Sequence, residues 1–98
     1  MNKKDYVSKE EMIDLLEKAL EKENIWGINL AGAQFKTPRL YEFYEKNTGV
    51  TQYWWTMWVK TAEKQSYLAV LKCSGVVRVY DKPTLDDKYN FHNAKKIA

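Results

Sequence analysis

The chain has 98 residues, 45% apolar and 30% charged, with a formal net charge of +3 and one cysteine, which is the length of a single domain with one modest core. Nothing approaches the roughly 18 consecutive apolar residues of a membrane-spanning helix, and the Lys-rich N-terminus leads into an amphipathic pattern instead of a secretory leader, so the expectation is a soluble, unexported, cytoplasmic protein. The lone Cys73 excludes an internal disulfide, and with the lone His92 it excludes a Cys/His zinc site within one chain.

Residues 1–7 are expected to be loose. Ser8-Lys9-Glu10-Glu11 has the S-x-x-E form of a capping box, and the helix it starts is predicted to run to about Glu23. Met12, Leu15, Leu16, Ala19 and Leu20 make one apolar stripe, and the opposite face mixes acids and bases as solvated helix surface does. A short strand is expected around Ile25 to Leu30, then an irregular stretch with Ala31-Gly32-Ala33. Thr37-Pro38 fits either a helix start or the entry to a strand over Arg39 to Glu45. The strand is preferred, closed by Asn47-Thr48-Gly49 as a three-residue hairpin loop. Gln52 to Lys60, Tyr67 to Cys73 and Val76 to Asp81 are rich in aromatic and β-branched residues and read as an antiparallel meander. Beyond Pro83 the chain turns polar, with Thr84 and Asp87 set to cap a weak last helix carrying Leu85, Tyr89 and His92 on one side. Residues 92–98 are expected to be flexible.

The fold class is therefore α+β in a single domain over 1–98: an N-terminal amphipathic helix packed on a meander of three to five strands, with a weak C-terminal tail or helix. In element order it is similar to Sm-like and other small-barrel architectures, an analogy that carries no functional residues across.

Side chains alternate along strands and directly opposed residues share a face, so loop length sets which residues meet. Taking Ser74-Gly75 as a two-residue loop and pairing Lys60 with Tyr67 puts Tyr53, Trp55, Met57, Val59, Leu68, Val70, Val77 and Val79 on a core face beneath the helix, with Lys72 the one misfit. Pairing Lys46 with Val50 adds Tyr41 and Phe43 to it. The second face then carries Trp54, Thr56, Trp58, Lys60, Tyr67, Ala69, Leu71, Cys73, Val76, Arg78 and Tyr80, too apolar to meet water uncovered. Its cover is the chain's own ends, another protein or a second copy, or a single-stranded nucleic acid stacked on Trp54, Trp58, Tyr67 and Tyr80 with Lys60 and Arg78 on phosphates.

Residues 1–49 hold 8 basic and 9 acidic side chains and residues 50–98 hold 8 and 4, so the aromatic half is also the basic half. Fourteen of the sixteen basic residues are Lys; only Arg39 and Arg78 carry the planar fork that reads bases or clamps phosphates. Catalytic groups are not indicated: His92 sits in a polar tail, Cys73 on a strand end, and Asp86-Asp87 has no third ligand spaced around it. The glycines do not form a phosphate loop. The sequence thus predicts a non-enzymatic binding protein without metal or cofactor, an inhibitor, adaptor or regulator. It would act on another protein or its own copy through Trp54, Trp58, Lys60, Tyr67, Arg78 and Tyr80. Single-strand nucleic-acid binding and small-molecule binding in an aromatic pocket are the alternatives. The Lys-heavy, Arg-poor composition suggests an AT-rich source such as a phage or mobile element.

Overall fold

The computed structural model describes residues 6–23, 27–72 and 75–98. Helix α1 (Lys9–Glu23) starts where Ser8 Oγ accepts the Glu11 N–H at 3.1 Å, and it buries Met12, Leu16 and Ala19, with Leu15 and Leu20 beside them. The strand expected around Ile25 to Leu30 does not form over 27–30, and residues 25 and 26 lie outside the described part. Asn29 instead turns the chain, its carboxamide oxygen accepting the Ala31 N–H at 2.9 Å.

The strands among the described residues are β1 (Gln34–Phe35), β2 (Arg39–Glu45), β3 (Val50–Lys60), β4 (Ser66–Leu71), β5 (Val77–Tyr80) and β6 (Lys95–Lys96). They form one antiparallel sheet in the order β5-β4-β3-β2-β6, with β1 also paired to β3. The sheet is open, not the closed barrel that the element order suggests, and it has one strand more than the upper expectation. Thr37-Pro38 leads into a strand, so the helical reading of Arg39 onward is excluded.

The register differs from the expected one by a single residue at every hairpin. The β2–β3 connection is Lys46 to Gly49, so Glu45 pairs with Val50. In the β3–β4 connection, Thr61 N–H bonds Gln65 C=O at 2.9 Å, and only three residues, the last a left-handed Lys64, lie between them. The β4–β5 connection repeats this form: Lys72 N–H bonds Val76 C=O at 2.9 Å and Gly75 takes the left-handed position. Three-residue loops with a left-handed last residue are the odd-numbered alternative to the two-residue turn. A one-residue change exchanges the two faces of a strand.

Because β2 and β4 both shift against β3, they flip while β3 and β5 keep their common facing. Leu40, Trp55, Met57, Val59, Ala69, Leu71, Val77 and Val79 therefore pack under α1. Phe43, Trp54, Leu68 and Val70 form a second core on the other side. Leu68, Val70 and Phe43 have thus left the face expected for them, and Tyr67, Ala69 and Leu71 have joined it. Lys72, the misfit of the expected core face, now lies on the second face with its ammonium 3.6 Å from the Trp54 ring centroid.

The second face is roofed by the chain's own C-terminal segment. Helix α2 (Lys82–Tyr89) is capped by Asp81, whose carboxylate accepts the Thr84 N–H at 2.9 Å, so Asp81 and not Thr84 is the cap. The helix buries Leu85 and Tyr89 against Phe43 and Trp54 and ends at a left-handed Asn90. A short 3-10 helix (Phe91–Asn93) adds Phe91, stacked on Phe43 at 5.7 Å, while His92 is exposed. Residues 95–98, expected to be flexible, pair with β2, and Leu40 N–H donates to Ala98 O at 2.9 Å. Near the other end Val7 is buried and Tyr6 meets Trp55 edge-on at 5.7 Å.

Candidate anion-binding groove

Of the six residues that the sequence singles out, Trp54, Trp58, Lys60, Arg78 and Tyr80 share the second face and Tyr67 does not. Tyr67 packs beside the α1 core and donates its hydroxyl to Gln65 Oε1 at 2.9 Å. Trp54 is only 4% exposed, with Tyr89 edge-on at 5.0 Å and Phe43 at 5.5 Å. Tyr80 is half-buried, edge-on to Tyr89 at 5.6 Å, and burial pushes both phenols above their ordinary pKa. These rings are spent on the fold. Trp58 and Lys60 remain at the end of β3 where the roof stops, and Arg78 stands exposed on β5.

That end of the sheet carries a groove of about 940 Å³. Its shape comes from an irregularity between β1 and β2. Phe35 pairs with Val59 and Arg39 with Thr56, so Lys36, Thr37 and Pro38 face only Met57 and Trp58. This is a one-residue bulge, at the place where Pro38 brings no N–H to the ladder. It is held by Lys36 N–H to Trp58 C=O at 3.0 Å and by Thr56 Oγ1 donating to Arg39 C=O at 3.0 Å. Lys36 and Thr37 stand exposed on its outer side.

Five cations line the groove: Lys9 from the start of α1, Lys36 and Arg39 from the bulge, Lys60 from the end of β3 and Lys82 from the start of α2. No acidic side chain lines it, and among the described residues none of the five makes an ion pair. The neighbouring acid, Asp81, is engaged as the α2 cap, where the Thr84 hydrogen bonds hold its carboxyl below the ordinary value. Trp58 supplies an apolar floor, its indole fixed edge-on by Phe91 at 5.6 Å, while Val59 beside it turns under α1 with Phe35 packed against that core. A concave, one-signed surface of this kind raises the local concentration of anions and speeds their arrival.

Comparison with protein-family models, curated proteins and solved structures finds no match. Among the described residues no three His, Cys, Asp or Glu side chains gather as a metal site would require, and no helix is long and apolar enough to cross a membrane. Cys73 lies outside the described residues. Sequence reasoning missed Lys9, Lys36, Arg39 and Lys82, which come from three separate places in the chain. The local signal available was Thr37-Pro38, flanked by Lys36 and Arg39 just ahead of the aromatic run of β2.

Proposed function

We propose that the chain is a small, non-enzymatic, cytoplasmic binding protein whose ligand is a phosphate-rich polyanion held in the groove at the end of the sheet. The observation that carries this reading is the convergence of Lys9, Lys36, Arg39, Lys60 and Lys82 on one concavity with no acid in its lining. It is favoured over docking of a protein on the aromatic sheet face, because α2 and Phe91 occupy most of that face. Four of the five groove cations are Lys, which meets phosphate as a point charge and needs no fixed fork geometry.

Binding of a linear polyanion by five cations releases counterions, so affinity falls with salt at a log–log slope of about −3.5, or about 100-fold between 50 and 200 mM. Titration of fluorescent inorganic polyphosphate at several salt concentrations measures the slope. Arg39→Glu with Lys60→Glu, both at exposed positions, should abolish binding and leave the circular dichroism unchanged. Absence of polyphosphate binding at 20 mM salt, or undiminished binding by the folded double variant, overturns the reading.

A further inference from the structure

Resting on the polyanion reading, we propose that the groove's ligand is single-stranded nucleic acid, with Trp58 as the platform on which a base stacks. The groove is not uniformly charged. Its cations surround the half-buried Trp58 indole as an apolar floor, while Val59 turns under α1 with Phe35 packed against that core. A bare polyphosphate has no use for that floor, whereas a nucleotide strand presents a charged backbone and flat apolar bases together. Stacking on an aromatic side chain beside a basic track is how proteins hold single strands without reading sequence.

The geometry suits this use of Trp58 in particular. Its backbone is fixed twice, by the β3–β4 ladder opposite Leu68 and by the bulge bond from Lys36 N–H. Its ring is held edge-on by Phe91, so the platform needs no ordering when a base arrives. Lys60 lies two residues on along the same strand face, about 7 Å away, with Lys36 and Arg39 across the ladder. A base on the indole therefore brings its flanking phosphates toward cations on both sides.

Other polyanions fit less well. Bases in a duplex are already stacked and cannot reach an indole on a groove floor, and duplex reading draws on Arg forks at base edges, of which this groove has one. An acidic polypeptide brings no flat rings, and its carboxylates favour Arg over the Lys that dominates here.

The test compares ten-residue oligothymidylate, inorganic polyphosphate, a ten-base-pair DNA duplex and poly-glutamate on the full chain. Oligothymidylate should bind most tightly and quench tryptophan fluorescence. Trp58→Leu, which keeps an apolar side chain on the floor, should weaken oligothymidylate about 5- to 150-fold and polyphosphate by less than about twofold. Bromodeoxyuridine-substituted oligonucleotide should photocrosslink to Trp58 in the unaltered protein, a readout independent of how the variant folds. If polyphosphate binds but oligothymidylate binds no better, if the duplex or poly-glutamate matches it, or if crosslinks fall elsewhere, the inference fails while the polyanion reading stands. Failure of polyphosphate itself to bind removes the reading beneath it.

Discussion

Replacing Leu85 by alanine tests whether α2 is a structural roof. Leu85 is 0% exposed, and with Tyr89 it is what this eight-residue helix buries. Removing three carbons costs about 0.8 kcal/mol each in transfer. The residual cavity beside Phe43, Trp54, Leu68 and Val70 adds to this, since β-sheet neighbours collapse poorly, so the expected loss is about 3 kcal/mol. For a chain of 98 residues that corresponds to a fall in Tm of about 12–24 °C. Urea unfolding gives the free energy. Acrylamide quenching of native-state fluorescence reports whether Trp54, 4% exposed beneath Tyr89, becomes accessible. A loss below about 1 kcal/mol with unchanged quenching would mean that α2 does not hold the second face, and that face would again be available to a partner.

Lys72→Gln keeps a long polar side chain but removes the charge 3.6 Å from the Trp54 ring centroid, and it should cost about 1–2 kcal/mol in urea unfolding. A double-mutant cycle with Trp54→Leu should return part of that as coupling, since the Tyr80 and Tyr89 rings lie 5.2 and 5.6 Å from the same ammonium. Asp81→Ala removes the α2 cap and should cost about 1 kcal/mol at neutral pH. The folded pKa of Asp81 lies below its unfolded value of 3.8, so the cap's ionic contribution is present above that pH and is lost as the pH falls through the folded pKa. The stability gap between wild type and Asp81→Ala should therefore narrow from about pH 4 downward, measured by denaturant midpoints across that range.

Element types were largely legible because their signals are local. Ser8 and Glu11 mark the α1 start within four residues, and the stripe from Met12 to Ala19 matches the buried positions. The aromatic and β-branched runs became β2 to β5 with ends displaced by a residue or two. Facing was not legible, because it depends on the parity of each loop, and in the β3–β4 and β4–β5 loops parity rests on whether one loop residue takes a left-handed backbone. Lys64 does so without being glycine, so nothing in Thr61 to Ser66 announces an odd loop. One clue was available nonetheless. Lys72 is misplaced in the expected core, and shifting β4 by one residue takes it from beneath α1 to the Trp54 ring. A single charged residue that fits one parity and not the other carries more information about register than the apolar residues that fit both.

The candidate site was less legible for a related reason. Counting charge by halves of the chain makes residues 50–98 the basic part, yet the groove takes Lys9, Lys36 and Arg39 from the first half and Lys60 and Lys82 from the second. The first half looks neutral because Glu10, Glu11, Asp14, Glu17 and Glu21 offset its cations, and these acids lie exposed along α1. Folding separates the two signs: the acids stay on the helix surface, while bulge, strand end and helix starts bring cations to one end of the sheet. A net +3 therefore understates the field that an approaching anion meets. The quantity that governs anion binding is how the topology sorts charge in space, and neither total nor segmental charge reports it.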